Sequence, residues 1–400
     1  MTTPARPLEL SGLTRVRRWA LLTGGVGLAA GIAGAFTDPE QFFRSYLVAF
    51  LFSSGLAIGC LGLLMLHYLM GGRWGLVTRR ILEAGAGTLP FGLVASLPHF
   101  AGLALGFHDL YPGAEPGTAE TDRALQHKAP YLNVPFYLVR AALCFAVWIA
   151  LAVLLRRWSS ALDDRAGGAR AARRLRLLSG PGILLLVLTR TVAAVDWAMS
   201  LEPHFVSSIY GIIFIVGDGA GAFALVILFL ALLADTDPFP RILDPPLWGD
   251  LGNLLLAFVL LWTYVSFSQF LIIWSANLPE EAAWYLSRSG EGWTRVAIAL
   301  VALHFAIPFL ALLSRRLKRK PSSLAAVAGI VLCGRLLDAV WVTAPAFHPR
   351  SFHVHWMDVL VPLSLGAIWV VVFLRGLAAR PLLPSGPLFT RAAHLREEAS

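Results

Sequence analysis

Eight ionisable side chains stand where lipid is expected. His99, Arg140, Arg190, Asp196, Asp218, His304, Arg335 and Asp338 all fall within long apolar stretches. A charge at the centre of a bilayer costs on the order of 3 kcal/mol by insertion scales, so such residues face the protein interior and need partners. Protonatable groups at that depth mark proton relays as well as structural pairs. Arg335 and Asp338 are three apart, which puts them on one helix face and predicts an internal ion pair. Arg190 and Asp196 are six apart, about 120° around a helix, so each is expected to pair across helices. At about 1.5 Å per residue, Arg190 lies roughly 20 Å from the inner end of its span. His99, Arg140, Asp196, Asp338 and the nearby Asp358 fall in the outer half, while His304 and Asp218 lie nearer the middle.

A second polar signal joins two of these stretches. Asp196-Trp197-Ala-Met-Ser-Leu-Glu202-Pro203-His204 ends one span, and Ser208-Ile-Tyr-Gly211 enters the next. Lipid does not explain acids, a proline turn and a histidine in series. Gly217-Asp218-Gly219-Ala220-Gly221 combines a small-residue spacing suited to close helix packing with a buried acid. In Ser96-Leu97-Pro98-His99, the proline opens backbone beside the histidine. Ser266, Ser268 and Gln269 can bond between helices or hold water.

These residues need a membrane scaffold. The chain has 400 residues, 57% apolar and 14% charged, which is not a soluble composition. A helical span needs about 20 mostly apolar residues. Ten stretches qualify: 19–36, 47–69, 83–106, 133–155, 177–198, 209–233, 251–274, 293–313, 324–344 and 356–374. Backbone groups in lipid must be satisfied internally, so the expected fold is an all-α integral membrane protein of ten transmembrane helices. Residues 1–400 read as one polytopic domain. The N-terminal tail 1–18, the C-terminal tail 375–400 and the loops on their side carry 24 Lys and Arg, against six in the loops opposite. The positive-inside rule therefore puts both termini in the cytoplasm. That bias accounts for most of the net charge of +9, and nucleic acid is excluded as a partner because the arginines hug helix ends.

Metal and haem chemistry is not expected in this chain. Cys60, Cys144 and Cys333 sit inside spans with no Cys-x-x-Cys spacing, which argues against zinc and iron–sulfur sites. Bis-histidine haem needs facing pairs at matched depth, and His67, His99 and His304 lie at three different depths. An internal duplication is visible: Arg190 followed by Ala194-Val-Asp-Trp197 matches Arg335 followed by Asp338-Ala-Val-Trp341, four spans later. Candidate repeats are 45–200 and 205–345. The outer loops hold the remaining unusual residues. Asn277-Leu-Pro-Glu280-Glu281, with Trp284 and Tyr285, predicts an interfacial helix, and 345–355 carries His348, His353 and His355.

Three segments together carry a family resemblance. Asp196–His204 with Ser208–Gly211, Phe267-Ser-Gln-Phe-Leu-Ile-Ile-Trp-Ser-Ala-Asn-Leu-Pro-Glu-Glu281 with Trp284-Tyr285, and Lys128-Ala-Pro-Tyr-Leu-Asn133 with Phe136 and Arg140 resemble a membrane subunit of bacterial alternative complex III. The likeness is to the second of the two related ten-span subunits of that complex. It implies quinol:cytochrome c oxidoreductase activity for the whole complex in the bacterial inner membrane. The implied fold is two four-helix bundles, spans 2–5 and 6–9, with peripheral first and last helices, as in the polysulfide-reductase membrane subunit. The implied partners are an iron–sulfur subunit, the other ten-span membrane subunit and c-type cytochromes, which hold the clusters and the haem c. No cofactor is expected on this chain, although quinol or quinone contact is open.

The leading reading is thus a cofactor-free membrane subunit that scaffolds the complex and conducts protons or contacts quinol. His99, Arg140, Arg190, Asp196, Asp218, His304, Arg335 and Asp338 form the proton-path or quinol-proximal set. Glu202, His204, Glu280 and Glu281 form an outer partner-docking set. A proton-coupled secondary transporter and a purely structural membrane anchor are the competing classes.

Overall fold

The structure is a computed structural model that describes residues 11–104, 110–111, 122–162, 168–236, 239–290, 292–349 and 351–381. Half of the loop 107–132 and both chain ends lie outside the described residues, so part of the expectation for the tails falls there. Among the described residues the fold is helical, and ten helices are long and apolar enough to cross a membrane.

The elements in chain order are α1 (Ser11–Thr37), α2 (Pro39–Met70), α3 (Arg73–Ala86), α4 (Leu89–Ala104), α5 (Arg123–Lys128), α6 (Val134–Ser160) and α7 (Gly168–Trp197). There follow α8 (Tyr210–Leu233), α9 (Pro245–Ala276), α10 (Pro279–Leu286), α11 (Trp293–Leu313), α12 (Arg315–Lys318), α13 (Pro321–Thr343) and α14 (Trp356–Ala378). The third crossing is built from α3 and α4 together.

Helix starts follow local chemistry. Asp38, Asn133 and Asp244 accept the backbone N–H of Gln41, Phe136 and Leu247, and each is followed by a proline in the first turn. A capping oxygen with proline beyond it satisfies one orphan N–H and removes the need for another. His355 and Asp358 form a reciprocal capping box on α14. Asn277, in the left-handed region at φ 49°, stops α9, and Leu278-Pro279 then launches α10. The interfacial helix expected after Asn277 is therefore present.

Two spans form the centre. Within their most apolar windows, α2 is 89% buried and α8 is 83% buried, whereas α1, α9 and α11 are each 28% buried. The last three therefore present most of their surface to lipid. Around the centre, α2 packs on α3, α4, α7, α8 and α14, and α8 packs on α7, α9 and α13. Close approach of α2 to α8 depends on Gly59: a Cβ there would collide with the Asp218 carbonyl oxygen. Gly55-x-x-x-Gly59 is the small-residue spacing that lets backbones meet. The first helix lies at the edge against α14, as expected, but α14 also packs on α2 and α3. The last helix is thus more than a peripheral strap.

Two prolines shape the helices that carry the intramembrane histidines. Pro308 has no N–H for the His304 carbonyl and its ring crowds that turn. The helix widens there into a π turn over Val301–Ala306, with His304 inside it. Pro98 lies within α4, and the Tyr46 hydroxyl donates 2.6 Å to the nearby Ala95 carbonyl. A tyrosine hydroxyl thus bonds the carbonyl next to that of Val94, which Pro98 leaves without its helical donor.

Candidate functional site

The intramembrane ionisable residues resolve into two clusters. The central one joins three helices. Arg190 on α7 donates from Nε to Asp218 on α8 at 2.6 Å. Arg335 on α13 lies 3.5 Å from the other Asp218 oxygen and bonds Asp338 one turn along its own helix. The result is an alternating chain, Arg190–Asp218–Arg335–Asp338, buried at every member. The i,i+3 pair predicted from sequence is present, and it extends across helices. Two arginines face two carboxylates, so the chain carries no formal net charge when all four are ionised.

Packing makes room for this chain. A Cβ at Gly217 would collide with the Arg335 guanidinium, so the glycine clears space for that group. Close helix packing is the role its spacing suggests; here the space is occupied by a charged side chain. The Arg190 guanidinium carbon sits 4.8 Å from the Phe214 ring centroid, and its two Nη atoms have no hydrogen-bond partner among the described residues.

His304 lies beside the α13 end of the chain. A Cβ at Gly334 would meet the His304 Cα and Cβ at 3.0 Å, which places His304 against the residue preceding Arg335. Its ring lies over Trp262 at 3.9 Å between centroids. It is fully buried, and neither ring nitrogen has a partner among the described residues. A buried polar atom left unbonded costs about 1–3 kcal/mol. Such a group needs an account, and water, an ion or a redox or proton role are the usual ones.

The second cluster joins α6 and α7 with the segment that precedes α6. Arg140 on α6 grips Asp196 on α7 with two parallel bonds, Nε to Oδ2 at 2.8 Å and Nη2 to Oδ1 at 2.9 Å. Its remaining Nη1 donates to the Tyr131 carbonyl, and its guanidinium stacks 3.8 Å from the Tyr131 ring centroid. Asp196 and Arg190 each pair across helices and not with each other, in line with their spacing. Beside this pair, His99 Nε2 is 3.1 Å from the Tyr111 hydroxyl and 3.4 Å from the Tyr137 hydroxyl. The Tyr111 hydroxyl donates to the Trp197 carbonyl at 3.3 Å. A small cleft of about 30 Å³ is lined by Tyr111, Tyr137, Asn133 and Ser200.

Arg190 and Arg335, the corresponding residues of the suspected repeat, converge on the same carboxylate. Asp196 and Asp338 differ in their partners, one across helices and one within its own. The pairing pattern is therefore not duplicated.

The surface turn between α7 and α8 binds both other motif segments. Arg288 donates to both oxygens of Glu202 at 2.6 and 3.2 Å, and its guanidinium covers the Trp284 ring at 3.6 Å. The Phe205 and Trp284 rings stack with centroids 5.0 Å apart. The Ser207 hydroxyl donates to Gln269 Oε1 at 2.7 Å, and Lys128 Nζ bonds the Pro203 carbonyl. Partial desolvation lowers the Lys128 pKa, against the opposing pull of Glu280 and Asp122. His204 is exposed and lies 2.9 Å from Asp122. Of the outer set, Glu202 is engaged internally, His204 and Glu280 are exposed, and Glu281 is half-buried.

Several residues of these clusters carry little or no sign in the sequence. Tyr111 and Tyr137 have no charge or spacing to mark them. Gly55-x-x-x-Gly59 has a readable spacing. Glu83 stands at the start of the third predicted span, yet it is buried among Arg79, Arg80 and Arg380 and accepts from Ser159. Its i,i+3 and i,i+4 arginines are the available signal. Among the described residues no group of three or more His, Cys, Asp or Glu is placed to hold a metal ion. No protein-family model matches the chain, and no curated protein matches it.

Proposed function

We propose that this chain is a cofactor-free membrane subunit of a respiratory quinol:cytochrome c oxidoreductase of the alternative complex III type. The observation that carries the reading is the convergence of the three resembling segments. Lys128 of one segment bonds Pro203 of another, and Phe205 and Ser207, between the two halves of that second segment, meet Trp284 and Gln269 of the third. A built polar face at the membrane surface, with Glu280 and His204 exposed, suits docking of a peripheral iron–sulfur or cytochrome partner. In this reading that face is periplasmic and the termini are cytoplasmic. Spans 2–5 and 6–9 then form two bundles sharing the α2–α8 contact.

Within the subunit, the two clusters support different roles. The bidentate, ring-stacked Arg140–Asp196 pair supports a structural role, because both groups are fully engaged. His304, unpartnered beside Arg335–Asp338 in a π turn, supports proton conduction in the second bundle. A neutral imidazole with a free nitrogen can accept a proton and pass it on, whereas a guanidinium does not release one.

Purification of the tagged chain in mild detergent tests membership. Multihaem c and iron–sulfur proteins should co-elute, with haem absorbance in the peak. A lone chain without haem absorbance would sink the assignment. His304→Phe tests the proton role, since the ring against Trp262 is kept. Proton translocation per electron should fall at least severalfold while the assembled complex persists. Unchanged translocation would make His304 a packing residue.

A further inference from the structure

A large cavity lies outside both clusters. It is a groove of about 550 Å³ between the α1–α14 pair and the body of the protein, within the usual size range of ligand sites. Trp19 of α1, Leu56 of α2, Leu336 of α13 and Gly366 of α14 are among its walls. Among the described residues, Arg15 is its one ionisable lining residue, and no acid lines it.

Helix register gives the depth of each feature. Cβ positions built at Gly24 and Gly27 of α1 would touch Ile368 and Ser364 of α14, so the two helices run antiparallel with Gly24 opposite Ile368. Trp369 therefore lies about 12 Å further into the membrane than Arg15. Arg15 stands one turn from the start of α1, at the surface on the side of the termini. The groove thus opens at a cationic rim and runs toward mid-membrane.

Apolar walls alone select nothing here, because lipid tails are as apolar as leucine. Selection must come from the shape of the groove and from the charge at its mouth. We propose that the groove is a binding site for an anionic phospholipid of the leaflet on the termini side. Its phosphate pairs with Arg15 and one acyl chain lies along the groove. A phosphate is the group in that leaflet that matches a guanidinium at headgroup level. The lipid packs between the α1–α14 pair and the centre of the protein, so it is part of what seats α1. The inference stands whether or not the chain belongs to a quinol-oxidising complex.

At the deep end, Ser53 Oγ and Trp369 Nε1 are buried without hydrogen-bond partners among the described residues, and both residues line the groove. A prenyl quinone, with a carbonyl at that depth, is the competing occupant. It would leave Arg15, exposed at the mouth, unused, and a charge-assisted contact outweighs a neutral one. The experiment separates the two.

The full chain is reconstituted in nanodiscs with a phosphatidylglycerol carrying a diazirine in its acyl chain, and in parallel with the matching phosphatidylcholine. Photolabelled peptides are read by mass spectrometry. Label should fall on the segments around Leu56 and Gly366, with about a fivefold preference for the anionic lipid, the effect of one basic residue at a membrane surface. Arg15→Gln should abolish the preference. Gly366→Leu should abolish labelling in the groove, and it tests the groove without disturbing the fold, since a Cβ at Gly366 meets nothing within 4 Å. Equal labelling by both lipids, or a preference that survives Arg15→Gln, overturns the proposal. So does displacement of the label by a short-chain prenyl quinone that is lost in Ser53→Ala and Trp369→Phe, because the site would then belong to a neutral carbonyl ligand.

Discussion

Arg140 and Asp196 are 56 residues apart and joined by two parallel bonds in a buried setting. Removing one partner of such a pair leaves an uncompensated charge, at a cost of about 3–5 kcal/mol. Asp196→Leu alone should therefore lower thermal stability in detergent strongly, as should Arg140→Met alone. The double variant should lose much less than the sum. Additive losses would show that the two side chains contribute independently. Legibility differs sharply at this scale. Arg335 and Asp338 are readable as a pair because three residues along a helix place side chains together. Arg140–Asp196 and Arg190–Asp218 are readable only as charges in need of partners, because helix packing chooses among candidates that look alike in sequence. His99 stands out through Pro98, yet its neighbours Tyr111 and Tyr137 come from a loop and another helix.

Elements behave according to what each face must meet. The α2–α8 contact allows no side chain at Gly59, where a Cβ would fall inside van der Waals distance of the Asp218 backbone. Gly59→Leu should cost more than about 3 kcal/mol, the upper part of the overpacking range, and displace Asp218 from Arg190. Gly329→Ala, on α13 with open space around its Cβ, is the matched control and should change stability by less than about 0.5 kcal/mol. A melt of the two variants in the same detergent checks the contrast, and equal melting points would remove Gly59 from the contact. Helix existence, caps and stops are legible: Asp38, Asn133 and Asp244 before prolines, and Asn277 after α9. The π turn at Val301–Ala306 is not. Pro308 is in plain view, but a proline can kink, break or widen a helix, and surrounding packing selects the outcome.

On the scale of the whole molecule, charge bias and helix count together predict orientation. Ten crossings return the chain to its starting side, and the arginine-rich loops place that side in the cytoplasm. In intact spheroplasts, a membrane-impermeant maleimide should label Leu286→Cys, at the end of α10, and spare Arg316→Cys, in α12. The reverse pattern would invert the topology. Both positions are exposed, so accessibility differs only by side. The sequence by itself determined that the chain is an all-helical protein with ten membrane-length apolar spans, and that the eight ionisable residues within them are buried. Those properties follow from transfer energies and local capping, which each short segment carries on its own. Only the tertiary structure decided that α2 and α8 are central, that Arg190 and Arg335 share Asp218, that His304 is left unpartnered, and that α1 and α14 leave a groove. Each of these depends on which surfaces meet, and residues far apart in the chain carry no local sign of which neighbour they will face.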